Sequence, residues 1–120
     1  MTRLLPSLAL ALALVSGLVL GLALASTPAA AADLSRGQKV YQASCLACHG
    51  VNADGKGPAA AALKPRPTDF TAADFWKDRT DDSIKQVIQS GKPGTSMMGF
   101  GQLQGEDLDA VVAFLRSKAP

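Results

Sequence analysis

Both cysteines of this 120-residue chain and its only histidine fall within five consecutive positions, Cys45-Leu46-Ala47-Cys48-His49. Any fold must therefore present two thiols and an imidazole from one short piece of backbone. The pattern C-x-x-C-H is the signature of covalent c-type haem attachment. Two thiols add across two vinyl groups of the macrocycle, and the two intervening residues give the reach to span its edge. The imidazole follows at once because it has to bind the iron from the same side. Other uses of these residue types fit less well. A thioredoxin-like C-x-x-C pair needs a strand before it and a helix after it. Here a helical pattern precedes Cys45 and a Gly-rich loop follows His49. A structural zinc site takes four ligands, and this stretch holds three. A disulfide spanning two residues is strained. The motif calls for one haem c, with Cys45 and Cys48 as thioether attachments and His49 as an iron ligand.

The N-terminus reads as an export signal. It opens Met1-Thr2-Arg3 and runs apolar from Leu8 to Ala25 with Ser16 as the one polar break. The alanines Ala29 to Ala32 then precede Asp33. A short positive start, an apolar middle and an A-x-A ending make a secretory signal peptide. The preferred cut lies between Ala32 and Asp33, and a cut after Ala25 also fits. The alternative is an uncleaved membrane anchor, since the apolar run is at the lower length limit for a spanning helix. Residues 1–32 are thus a leader and residues 33–120 one exported domain, expected to be periplasmic and soluble. Removing the leader takes away Arg3 alone among charged residues, leaving 11 Lys and Arg against 10 Asp and Glu. No basic block occurs, which excludes nucleic acid as the expected partner. A domain this small has a thin core, and a buried haem is the kind of group that supplies the missing apolar mass.

The remaining chain patterns as all-α. From Asp33 to Ala47, Leu34, Gly37, Tyr41 and Cys45 recur at spacings of three and four, which places them on one helical face. Asp33 is the expected cap. Gly37 inside that helix costs about 1 kcal/mol relative to alanine, and close approach of a second helix would compensate. Residues 50–70 read as loop, with Ala59 to Leu63 as one helical turn between turn residues. Phe75 and Trp76 follow, with core packing the expected role for Phe75. Thr80 starts a second helix whose stripe is Ile84, Val87 and Ile88, and Gly91 ends it. A loop from Lys92 to Gly101 carries Met97 and Met98. The last helix spans about Glu106 to Lys118, with Leu108, Val111, Val112 and Leu115 on one face. Its acidic start and basic end both suit the helix dipole.

With His49 as the only histidine, a bis-histidine haem cannot form within one subunit. The sixth ligand is then Met, Lys, water or nothing. Apart from Met1 the only methionines are the adjacent pair Met97 and Met98. They sit in a Gly-rich loop, an unlike setting for residues that merely fill core gaps.

From Leu34 to Lys118 the chain resembles the class I, single-haem bacterial cytochromes c. Gly37 and Tyr41 match the Gly and aromatic four residues apart on that family's first helix, and Tyr41 precedes Cys45 by four. Phe114, with Val111 one turn before, matches the aromatic of the crossing C-terminal helix. The resemblance implies a fold of three to four helices wrapped around one covalent haem. It implies that the backbone carbonyl of Pro58, in Gly55-Lys56-Gly57-Pro58, accepts the second ring N–H of His49 and so orients the ring. Gly94-Thr95-Ser96-Met97-Met98-Gly99-Phe100 is similar to the family's sixth-ligand loop, with Met97 at the ligand position and Met98 where proline is usual. Trp76 would stand for a tryptophan that contacts a haem propionate.

These readings lead to an expected function. His49 and Met97 on the two sides of the iron leave no open position, so the protein is expected to carry single electrons rather than to catalyse a reaction. Its expected partners are redox proteins docking transiently at the haem edge, and it is expected to be a monomer. Lys56, Lys64, Arg66 and Lys92 lie in loops that could rim the haem. Two alternatives stay open. One is a membrane-tethered cytochrome c subunit of a respiratory oxidase or dehydrogenase. The other is a five-coordinate gas-binding or peroxidatic protein, against which the lack of a second histidine argues.

Overall fold

A computed structural model describes residues 28–120, with side chains from Asp33 onward. Most of the leader, residues 1–27, lies outside the described residues. Among the described residues there is no strand. The elements are α1 (Pro28–Ser44), α2 (Leu46–His49), a 3-10 turn (Ala60–Ala62), α3 (Ala73–Trp76), α4 (Asp81–Ser90) and α5 (Gly105–Arg116). Three are full helices and two are single turns, so the architecture is the expected all-α one.

Helices α1 and α5 make the most extensive contact in the fold, and Gly37 is the reason they come so close. A Cβ added there would overlap the Ala110 carbonyl oxygen and lie 2.8 Å from the Phe114 Cβ. One turn along, Tyr41 is 1% exposed and its ring sits 5.1 Å from that of Phe114 at 45°. At the other side of the crossing, Arg36 donates to Asp107 at 2.6 Å and to Glu106 at 2.7 Å. Both pairs are exposed, so they orient the helices more than they stabilise them. The apolar stripe of α5 is buried as its periodicity predicts, with Val111 at 0% and Val112 at 2% exposure.

Helix α4 starts where expected. The Thr80 hydroxyl accepts the Ser83 N–H at 3.2 Å, and Asp81 and Asp82 lie in the first turn. Arg116, in the last turn of α5, donates to Asp81 at 2.6 Å and lies over the Trp76 ring at 4.4 Å. This one side chain ties together α3, α4 and α5.

Two expectations about α1 are corrected. Asp33 does not cap the helix, which already begins at Pro28 and runs through the preferred cleavage point. Alanine has the strongest helix propensity of all residues, so the Ala29–Ala32 run extends the helix wherever it is attached. The helix also stops at Ser44 rather than Ala47. Cys45, with φ −119 and ψ −32, stays in the right-handed region but is stretched enough in φ to interrupt the helix by one residue, and the chain resumes as α2, which includes Ala47.

Candidate haem site

The break at Cys45 shapes the site. Cys45 N–H still donates to the Tyr41 carbonyl at 2.8 Å, and the Cys45 carbonyl accepts the His49 N–H at 2.9 Å. Positions i, i+3 and i+4 of a helical turn share one face. Cys45, Cys48 and His49 stand in that relation and line the same cavity. Both cysteines are free thiols. Burial, and then the neighbouring Cys48, pushes the Cys45 thiol up to about 11.

The loop after His49 is folded onto the opposite side of α2. Gly57 N–H donates to the Cys48 carbonyl at 3.1 Å and Ala59 N–H to the Ala47 carbonyl at 2.9 Å. A Cβ on Gly57 would collide with those same backbone atoms. Pro58 is exposed, and the carbonyl that faces His49 Nδ1 in this structure is that of Thr68, at 3.2 Å, rather than the Pro58 carbonyl that the resemblance implies. The strap 64–70 passes beside the imidazole, and Phe70 packs on it with ring centroids 5.0 Å apart. Phe70 is itself fixed by its N–H to the Ala53 carbonyl at 2.8 Å and by Trp76 Nε1 donating to its carbonyl at 2.7 Å. With its indole N–H committed there, Trp76 lines neither cavity described below. The propionate contact implied for it is therefore not found.

His49 is 8% exposed. Burial pulls its pKa below the ordinary value, opposed by the Thr68 carbonyl. A carbonyl can only accept, so Nδ1 carries a proton toward Thr68. In the neutral ring this leaves the Nε2 lone pair for a metal, the tautomer a haem ligand requires.

Tyr41 couples the helix crossing to this site, since its hydroxyl donates to the Gly50 carbonyl at 2.6 Å. That carbonyl also accepts the Ala53 N–H, so Tyr41→Phe is expected to cost only about 1 kcal/mol. Burial is the main cause that raises the Tyr41 hydroxyl above its ordinary pKa of 10.0. An unfolded tyrosine loses its proton first, so the native state loses stability as pH rises past about 10. Urea titrations of the holoprotein at pH 7 and above pH 10 should show a smaller alkaline loss in Tyr41→Phe than in wild type.

The cavity has a volume of about 370 Å³. Its walls come from the α1–α2 junction, from the strap 64–68 and from the loop 92–100. An adjoining cavity of about 110 Å³, which shares Cys45, His49, Thr68, Lys92 and Met97 with the first, is otherwise lined mainly by apolar residues such as Ile84, Val87, Ile88 and Leu115, with Arg79 and Ser83 at its edge. Met97 lines both spaces. The Met97 carbonyl accepts the Lys92 N–H at 3.1 Å, and its own N–H donates to Thr95 Oγ1 at 3.1 Å. Phe100 N–H donates to the Ile88 carbonyl at 2.8 Å, which anchors the loop to α4. Met97 is partly buried against the core, whereas Met98 is 68% exposed. Arg66 and Lys92 reach the cavity; Lys56 and Lys64 do not line it.

Two free thiols and an imidazole on one turn, facing a largely apolar cavity, are a donor set suited to a covalently held haem. The fold and site define a small all-α c-type haem protein. The family model for cytochrome c matches residues 34–119, and the chain belongs to the cytochrome c family. Its cofactor is the covalently bound haem c of that family, and haem-based electron transfer is the chemistry that membership supports. The chain is 36% identical over 102 residues to cytochrome c55X of Stutzerimonas stutzeri, covering 81% of this chain and 76% of that protein. It is 34% identical over 111 residues to dihydro-heme d1 dehydrogenase of Pseudomonas aeruginosa, covering 87% of this chain and 19% of that protein. Among solved structures it is similar to a chain of the Kuenenia stuttgartiensis reducing HAO-like protein complex. That match has a TM-score of 0.62 and 31% identity over 70% of this chain and 41% of that one.

The residues that sequence reasoning missed are Thr68 and Phe70. Thr68 acts through its backbone carbonyl, which no side-chain pattern announces. The turn beside it was readable: Asp69 accepts from both Thr71 N–H, at 2.8 Å, and Thr71 Oγ1, at 2.6 Å, a local Asp-x-Thr turn.

Proposed function

We propose that this protein is an exported one-electron carrier in which His49 and Met97 are the two axial ligands of the haem iron. The observation that carries the reading is that Met97 and His49, 48 residues apart, line both cavities, whereas Met98 lines the larger one alone and is 68% exposed. The bound haem supplies a one-electron couple. The protein's residues tune it. A thioether is a neutral, soft ligand that favours the ferrous state and raises the potential relative to bis-histidine ligation. The Thr68 carbonyl orients the imidazole and raises its basicity. Ile84, Val87, Ile88 and Leu115 keep water from the inner wall. The open mouth leaves an edge for partners to approach, and such redox encounters are small and transient.

The test is the absorption spectrum of protein matured in a host competent for haem attachment. Met97→Ala is expected to abolish the weak far-red methionine–ferric iron band and to lower the potential. A retained band would reassign the ligand to Met98. Carbon monoxide is expected to bind the reduced wild type slowly or not at all at neutral pH. Fast, tight binding would favour a five-coordinate, enzymatic or gas-binding reading.

For the leader, the proposal is cleavage between Ala32 and Asp33 and release of a soluble, monomeric periplasmic domain. No helix among the described residues is long and apolar enough to cross a membrane. A second reading, a domain that works attached to a larger redox assembly, is favoured by the relatives in which the matched region is 19% or 25% of the whole. Intact mass of the exported protein separates the two, since an anchored form keeps residues 1–32.

A further inference from the structure

Met97 is fastened on both sides of its own Cα. Its carbonyl accepts the Lys92 N–H at 3.1 Å, and its N–H donates to Thr95 Oγ1, also at 3.1 Å. The Thr95 hydroxyl in turn donates to the Lys92 carbonyl at 2.7 Å, and the Thr95 N–H reaches that same carbonyl at 3.2 Å. The segment 92–97 is thereby closed on itself, with Lys92 and Met97 at the seam and the Thr95 side chain as an internal brace. Threonine hydroxyls that bond nearby backbone groups stabilise local turns. This one donates and accepts at once.

The neck of the loop fixes its register. Gly91 and Gly99 pass so closely that a Cβ on Gly91 would lie 2.8 Å from the Gly99 nitrogen, and a Cβ on Gly99 would lie 2.6 Å from the Gln89 carbonyl oxygen. Sliding the loop by one residue, to bring Met98 where Met97 stands, would seat Phe100 in the place of Gly99, where a side chain has no room. The Phe100 N–H is moreover bonded to the Ile88 carbonyl at 2.8 Å. Met98 makes no backbone hydrogen bond among the described residues. Of two adjacent thioethers, one is braced and partly buried, and the next is unfastened and 68% exposed.

We infer that Thr95 is the positioning residue for the sixth ligand: its hydroxyl pins the Met97 backbone so that the thioether stays against the iron. The inference rests on Met97 being that ligand. Without the hydroxyl, the Met97 N–H loses its acceptor and the Lys92 carbonyl loses one of its two donors. The form of the loop with methionine off the iron then becomes more populated. An added ligand that binds only that form gains apparent affinity in proportion to its population.

The experiment titrates the ferric holoprotein with imidazole and follows the far-red methionine band, in wild type and in Thr95→Val, Thr95→Ala, Thr95→Ser and Ser96→Ala. Valine keeps the β-branched shape and serine keeps the hydroxyl. Ser96 is an exposed hydroxyl on the wall of the same cavity. Thr95→Val and Thr95→Ala should bind imidazole roughly tenfold more tightly than wild type, the size of effect expected when a partly buried N–H loses its acceptor. Helical ellipticity before imidazole is added should be unchanged. Thr95→Ser and Ser96→Ala should match wild type. If Thr95→Val and Thr95→Ala bind imidazole as wild type does, or if Thr95→Ser binds it as tightly as Thr95→Val, the hydroxyl does not position the ligand. If instead Met97→Ala keeps the band, the ligand assignment falls and the role of Thr95 falls with it, an outcome that no Thr95 variant mimics.

Discussion

Replacing Cys45 and Cys48 together by alanine should give a polypeptide that keeps no haem under denaturing conditions and does not unfold cooperatively. The first half follows from position, since these are the only thiols in the chain and both face the cavity beside His49. The second half follows from packing. Cavities cost stability in proportion to their volume, about 24 cal/mol per Å³ in the best-studied series. A space of about 370 Å³ left unfilled is therefore a loss on the order of several kcal/mol, even allowing for its open mouth. Small domains have about 5–15 kcal/mol in total. Haem staining of denaturing gels reads the first effect and a thermal melt followed by circular dichroism reads the second. Each single replacement should keep one thioether and hence the stain. Haem retained covalently by the double variant would overturn the attachment.

The second large effect is expected at Gly37. Alanine there gains about 1 kcal/mol in helix propensity, yet the added Cβ meets the backbone carbonyl of Ala110. A backbone atom in the middle of α5 cannot rotate away as a side chain would. The two helices have to separate, and overpacking of this kind costs about 1–3 kcal/mol or more. Gly37→Ala should be destabilised despite its propensity, and Gly37→Val should be worse. Chemical denaturation of the holoproteins checks the order wild type, Ala, Val. An alanine variant as stable as wild type would show that the crossing has slack and that Gly37 is incidental. The strain should also reach the haem site, because Tyr41, one turn on, bonds the residue that follows His49.

The local features were the readable ones. Helix α4 announced its cap at Thr80, its stripe and its end at Gly91. Helix α5 showed a period-3.6 face that is buried as read. Gly37 asked for a helix partner, and the structure supplies Ala110 and Phe114. The errors arose where a group acts through its backbone or where one residue had two plausible places to go. The resemblance implied a Pro58 carbonyl for His49, whereas the carbonyl that faces it here is that of Thr68. Trp76 was matched to the cofactor, but its N–H is taken by Phe70 and its face by Arg116.

The chemistry of this protein was already contained in its residues: two thiols and an imidazole spaced for one helical turn, and two adjacent thioethers as the other candidate ligands. Such short-range spacing translates directly into geometry, since a helical turn places i, i+3 and i+4 together whatever surrounds it. The carbonyl that faces His49, the greater burial of Met97 than Met98 and the gathering of the strap 64–68 and the loop 92–100 around one cavity were decided by chain packing. They depend on loops far apart in sequence that are held by separate anchors, and no local periodicity records where such loops will meet.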